Sequence, residues 1–202
     1  MRAIAFDFGN VLGFFDHHLT LNRLVAHTDM SAEEMFQAVY DSALEDAFES
    51  GQITAASFLK EVRQLCKLRC NDHFLIEAWS NIFRPNDDVC RLIESLKPRY
   101  RLLLASNTNE LHANRYRRQF AGTLQHFDHQ VLSYEIGVRK PRREFFEHCL
   151  LLADCPAGEC LFVDDLADNI AGARACGWNG IVYKRFDDLQ QRLEEFGICT
   201  SV

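Results

Sequence analysis

The chain lacks an excess of positive charge. Its 202 residues carry 22 Lys and Arg against 29 Asp and Glu, a formal net charge of −7. Nucleic acids and anionic membranes favour a basic face, so neither is expected as a partner. No apolar run approaches the roughly 20 residues that a membrane-spanning helix needs. No signal peptide is visible either, because Met1-Arg2 leads straight into the strand-like Ala3-Ile4-Ala5-Phe6. There is no internal repeat and no low-complexity linker. Among the 8 cysteines, Cys66 and Cys70 share a one-turn spacing, but no second pair or His spacing completes a zinc pattern. Reduced thiols in a cytoplasmic protein are the expectation.

What is present is enough apolar material for a sizeable core. Hydrophobic residues make up 48% of the chain, which suits one α/β domain with a modest insert. Five short runs read as strands, at 3–8, 102–105, 130–133, 160–164 and 180–183. Each is apolar on both faces and separated from the next by helical periodicity, the signature of a parallel sheet covered on both sides. Helices are expected from the capping box at Ser31 to about Ser50, from Thr54 to Cys66, and from Asn71 or Asp72 to Phe83. Others are expected from Asn86 to Lys97, at 142–153 with Pro141 in the first turn, at 168–176 before Gly177, and at 187–196 before Gly197. The stretch 15–83 reads as helices only. It is taken as a helical cap inserted into an α/β core formed by 1–14 and 84–202.

Chemistry gathers at the ends of the strand-like runs. In open α/β sheets, ligands bind beside the carboxyl ends of the strands. Asp7 ends the first run, and a carboxylate there can attack phosphorus. By itself such an Asp is most often a turn or a helix cap. Asp164-Asp165 ends the fourth run, and three carboxylates brought together stay ionised only beside a cation. Mg²⁺ suits them, being hard and content with one or two carboxylates plus water and phosphate. Ser106 follows Leu102-Leu103-Leu104-Ala105, and its hydroxyl and the Asn107 amide can bind phosphate oxygens. Lys140 offers a point charge to the same group. Its neighbours Arg139, Arg142 and Arg143 read as solvated residues at a helix start.

These segments together resemble the haloacid dehalogenase superfamily of phosphohydrolases, in its helical-cap class. The carriers are Asp7-Phe8-Gly9-Asn10-Val11, Ser106-Asn107-Thr108-Asn109-Glu110-Leu111-His112, Gly137-Val138-Arg139-Lys140-Pro141 and Asp164-Asp165-Leu166-Ala167-Asp168-Asn169. They are most similar to the branch that includes bacterial α-D-glucose-1-phosphate phosphatase. Ala47-Phe48-Glu49-Ser50-Gly51-Gln52-Ile53 resembles a cap segment of that branch. The resemblance implies a Rossmann-like parallel sheet of order 5-4-1-2-3 with Asp7 at the switch point. It implies Asp7 as nucleophile. Mg²⁺ would be held by Asp7, the Gly9 carbonyl and Asp165, with Asp164 bound directly or through water. Ser106, Asn107 and Lys140 would hold the phosphoryl group, and Gly172 and Gly177 would be small-residue positions of the helix after the fourth motif.

Gly9 departs from the family pattern. Most relatives carry there a second Asp that protonates the leaving oxygen and later activates water, help worth about 10²–10⁴-fold. Three readings stay open. The substrate may have a good leaving group, such as an anomeric sugar phosphate. Asp16, His17 or His18 may supply the proton. Or the protein binds phosphorylated ligands and turns them over poorly. Phe14, Phe15, Phe48 and Trp79 are candidates to line the pocket, and most of them are expected to pack where cap meets core. A true dehalogenase would leave Asp164-Asp165 without a role, and a receiver domain would place its acidic pair first in the chain. The reading is a Mg²⁺-dependent phosphatase of small phosphorylated metabolites. Accordingly, no chloride is expected from 2-haloacids in metal-free buffer, which a chloride electrode checks.

Overall fold

The computed structural model describes residues 1–40 and 42–199. Its centre is a parallel sheet of β1 (Ala3–Phe6), β4 (Arg101–Ser106), β5 (His129–Leu132), β6 (Cys160–Asp164) and β7 (Asn179–Val182), in the order β5-β4-β1-β6-β7. This is the expected order, with β1 central. Side chains alternate along each strand. Ile4, Phe6, Leu102, Leu104, Leu161 and Val163 face one layer of helices; Ala3, Ala5, Leu103, Ala105, Cys160 and Phe162 face the other. The first layer packs α6 (Asp87–Leu96), α7 (Glu110–Gln119) and α12 (Phe186–Glu195). The second packs α10 (Arg143–Ala153) and α11 (Ala167–Ala175). Two one-turn helices, α8 (Ala121–Leu124) and α9 (Ser133–Ile136), flank β5.

A third apolar cluster lies apart from the sheet. It joins α1 (His17–Leu24), α2 (Ala32–Tyr40), α3 (Leu44–Glu49), α4 (Ala55–Leu65) and α5 (Asp72–Ser80) through Leu21, Val39, Phe58, Val62, Leu75 and Trp79. Two strands tie it to the sheet. β2 (Gly13–Phe15) pairs antiparallel with β3 (Phe83–Pro85), Phe15 opposite Phe83. This pair was not expected from the sequence, because three residues show no periodicity. Pro85 is tolerated at an edge that needs no donor. No helix among the described residues is long and apolar enough to cross a membrane.

Several helix boundaries differ from expectation. The Ser31 capping box forms, with Glu34 N–H on the Ser31 hydroxyl at 3.2 Å and Ser31 N–H on the Glu34 carboxylate at 2.7 Å. Among the described residues the helix it opens covers Ala32–Tyr40 and a separate helix begins at Leu44, rather than one helix running to Ser50. Ser42 donates its hydroxyl to the Val39 carbonyl at 2.6 Å and accepts from Leu44 N–H at 3.3 Å, a local competitor of helix. The helix capped by Asn71 ends at Ser80, because the chain beyond it pairs with β2. Pro141 follows a cis peptide bond and precedes the N-cap Arg142, so it lies outside the helix it was expected to start. Phe48 and Trp79 pack inside the third cluster rather than where the two parts meet.

Gly51 ends α3 at φ +66, and a Cβ there would run into the Tyr134 carbonyl oxygen of α9. The helical layer approaches the sheet's helices at this point. Gly51→Ala is expected to destabilise the fold by more than about 1 kcal/mol, from the left-handed backbone alone. Urea unfolding checks it.

Candidate active site

Asp7 leaves β1 with its N–H on the Val163 carbonyl at 2.9 Å, which holds it between β1 and β6. Its Oδ1 accepts from Phe8 N–H at 2.7 Å and lies 2.8 Å from Lys140 Nζ. Lys140 is only 4% exposed. Its ammonium also donates to Asp164 Oδ2 at 2.7 Å and to the Ala105 carbonyl at 2.8 Å. The Lys140 main chain is gripped from both ends: its N–H donates to Asn107 Oδ1 at 2.8 Å, and its carbonyl accepts from Asn107 Nδ2 at 3.0 Å. The Asn107 amide therefore has a positioning task that was not expected from the sequence. One N–H of the amide is thus spent on positioning Lys140, while the second remains for a ligand in the cavity that Asn107 lines.

Asp164 has no exposed surface. Besides Lys140 it accepts from Leu166 N–H at 2.8 Å and from Asn169 Nδ2 at 3.0 Å. Asp165 is half-buried and accepts from Asn10 Nδ2 at 3.0 Å. One oxygen from each of Asp7, Asp164 and Asp165 lies within 4.8 Å of the others. Burial, and then the Asp164 and Asp165 charges, push the Asp7 carboxyl up to about 8, although Lys140 pulls the other way. Burial likewise raises Asp165. Burial opposes the Lys140 charge, but Asp7 and Asp164 outweigh it and hold the ammonium above its ordinary value. Three carboxylates share one ammonium, an arrangement that a hard divalent ion with oxygen ligands relieves. The residues fit such an ion.

Above these groups lies a cavity of about 240 Å³ whose lining includes Asp7, Gly9, Asn107, Arg139, Lys140 and Asp165. A neighbouring space of about 50 Å³ shares Gly9, Phe15, His17, Glu49 and Asn107 with it and adds the Ser106 hydroxyl. All the predicted site residues are therefore brought together, Gly9 included. A Cβ on Gly9 would meet the Phe15 ring at 2.9 Å, so an aromatic edge fills the place of the customary side chain. Phe15 thus lines the cavity. Its neighbour Phe14 lies under the Arg84 guanidinium at 5.0 Å.

The helical layer adds residues that the sequence reading missed or misjudged. Glu45 and Glu49 line the cavity from α3, and His17 does so from α1. The signal was their i, i+4 spacing, which puts both carboxylates on one helix face. Arg139, expected to be solvated, pairs with Asp46 and, at 2.8 Å, with Glu49. Of the three suggested proton donors, only His17 reaches the cavity. Asp16 caps α1 through His18 N–H at 2.9 Å, and His18 stacks on Phe36.

A profile of haloacid dehalogenase-like hydrolases matches residues 1–177. The chain belongs to that family. Its HAD-like relatives include a D-ribitol-5-phosphate phosphatase of Bacteroides thetaiotaomicron, 24% identical over 200 residues that cover 96% of this chain and 97% of the relative. A HAD-like family hydrolase from Porphyromonas gingivalis superposes with a TM-score of 0.81 at 24% identity, covering 97% of both chains. A HAD family enzyme from Bacteroides thetaiotaomicron, in complex with magnesium and inorganic phosphate, superposes at 0.78 with 22% identity, covering 94% of this chain and 98% of that one.

Two histidines beside the HAD-like site, His112 buried and His17 half-buried, are held uncharged. His112 accepts or donates at 3.0 Å to Asn109 and at 3.3 Å to the Trp79 carbonyl, and burial lowers it from 6.5 to about 3. Burial lowers His17 to about 4. Their folded values lie below the unfolded one, so their contribution is intact above pH 6.5 and is lost as pH falls toward 4 and 3. Between pH 7 and 5 stability is expected to drop by up to about 2 kcal/mol per histidine. His112→Gln should remove its share of that slope, measured by urea unfolding at the two pH values.

Proposed function

We propose that the chain is a Mg²⁺-dependent phosphatase of small phosphate monoesters, sugar and polyol phosphates first among them, acting through an aspartyl-phosphate on Asp7. The observation that carries this reading is the Lys140 ammonium fixed between Asp7 and Asp164 beneath a cavity that Asp165 also lines. A space of about 240 Å³ suits a metabolite rather than a protein segment. The D-ribitol-5-phosphate phosphatase, matched along nearly its whole length, supports a polyol or sugar phosphate.

Asp7, Asp165 and the Gly9 carbonyl would hold Mg²⁺, with Asp164 bound directly or through water; when bound, the ion offsets carboxylate charge and polarises the phosphoryl group. Asp7 is held at Oδ1 by Phe8 N–H and Lys140, which leaves Oδ2 to attack phosphorus. Lys140 neutralises charge on the transferring group. The Ser106 hydroxyl and the second N–H of the Asn107 amide bind phosphate oxygens, the first N–H being held by the Lys140 carbonyl. Residues 15–83 serve as a cap over this site, excluding water during the first transfer and admitting it for the second.

Gly9 favours a second reading, a phospho-ligand binder with little turnover. One assay separates the two. Mg²⁺-dependent release of p-nitrophenol from p-nitrophenyl phosphate is expected, falling at least about 10³-fold in Asp7→Asn and vanishing with EDTA. Mg²⁺-dependent binding of phosphate without release of nitrophenol from any ester would establish the binder instead.

A further inference from the structure

With Phe15 against Gly9, the position two residues after Asp7 supplies no proton. The remaining titratable groups around the cavity are few. Lys140 is engaged by Asp7, Asp164 and the Ala105 carbonyl, and Asp165 belongs to the acidic cluster. Glu49 is held by Arg139 at 2.8 Å. His17 has its Nδ1 2.9 Å from the Tyr40 hydroxyl, and burial keeps its ring without a proton to give at neutral pH. Glu45 is different. It lines the same cavity as Asp7, and among the described residues no hydrogen bond or ion pair engages its carboxyl.

We propose that Glu45, reaching in from α3, is the general acid and base of this enzyme in place of the side chain missing at Gly9. The proposal rests on the phosphatase reading above. In the first step an Asp7 oxygen bonds to phosphorus, and the bond from phosphorus to the ester oxygen breaks. The Glu45 carboxyl proton passes to that oxygen, so an alcohol leaves. In the second step the Glu45 carboxylate takes a proton from water as the water oxygen bonds to phosphorus. The bond from phosphorus to Asp7 breaks, which releases phosphate and restores both carboxyl groups.

The surroundings of Glu45 suit the role. Burial first, and the neighbouring Glu49 charge second, push it up to about 8, against the pull of Arg139. A carboxyl protonated near neutral pH can donate, and one titrating there can be recovered as a base. Glu49 on its own helix, Tyr40 of α2, Arg139 from the segment before α10, and Asp7, His17, Lys140 and Asp165 around the cavity are ionisable groups near it among the described residues. Its helix is fastened over the site by Arg139, which grips Asp46 and Glu49 on either side of the intervening turn.

The test compares two esters in wild type, E45Q and E45D with Mg²⁺ present. n-Butyl phosphate has a leaving group that needs a proton; p-nitrophenyl phosphate has one that does not. E45Q is expected to lower kcat on the butyl ester by about 10² or more. On the nitrophenyl ester it is expected to release about one equivalent of nitrophenol in a burst and then turn over slowly, because only the water step lacks its base. E45D, which keeps the carboxyl, should recover part of the butyl rate. Thermal melting by circular dichroism confirms that each variant is folded. Equal losses on both esters without a burst, or an unchanged butyl rate, would overturn the assignment of Glu45. A wild-type enzyme that releases no nitrophenol would overturn the phosphatase reading itself, a result separate from either.

Discussion

The site depends on one buried ammonium. Lys140 sits where three carboxylates converge, and removing its charge would leave Asp7 and Asp164 facing each other with no compensation in the protein. Breaking a buried pair in this way costs several kcal/mol, because the surviving charge is stranded in low dielectric. The surrounding structure is arranged to keep the ammonium in place. Asn107 binds the Lys140 main chain at both its N–H and its carbonyl, Ala105 accepts from Nζ, and the Phe162 ring lies 5.3 Å beneath it. Those partners come from β4 and β6, and Asp7 follows β1. The sheet order, with β1 between β4 and β6, is therefore a requirement of the electrostatics.

A second positive charge, next to the first in sequence, does a different task. Arg139 binds α3 through Asp46 and Glu49 at the wall of the cavity. Adjacent residues thus link the phosphate site to the helical layer above it. Glu49 is raised by burial even with Arg139 beside it, so the cavity wall is a place where carboxylates are poorly solvated. Glu45, one turn earlier on the same face, shares that environment without the same partner. Phe15 completes the wall by filling the space beside Gly9. The loss of a side chain at residue 9 and the bulk of residue 15 belong to one packing arrangement.

Much of this was legible in the sequence, for physical reasons that can be stated. Strands buried on both faces have to be nearly continuous apolar runs, so Ala3-Ile4-Ala5-Phe6 and Leu102-Leu103-Leu104-Ala105 announced themselves, and the polar residues just beyond them marked the ligand-binding edge. Helix caps such as Thr54 and Asn71 act within three residues and were equally visible. The β2–β3 pair was not, because its two three-residue strands are joined only across the whole helical layer. Nor was the break before Leu44, where the Ser42 hydroxyl competes for main-chain bonds. Nor was the hold of the Asn107 amide on the Lys140 main chain, because that partner lies 33 residues away.

Local order in the chain determined the fold class, the strand order by resemblance, and the acidic, basic and hydroxyl groups that meet at the sheet's carboxyl edge. These follow from patterns a few residues long, in which burial demands apolar runs and strand ends expose what comes next. Tertiary structure alone decided which polar groups are already engaged and which remain available. Asn107 holds the Lys140 main chain, Arg139 and Glu49 are paired with each other, and Glu45 lines the cavity with its carboxyl unbound among the described residues. That distinction depends on distances between segments far apart in the chain and on how much water each group has lost. Neither quantity is written in any single stretch of sequence.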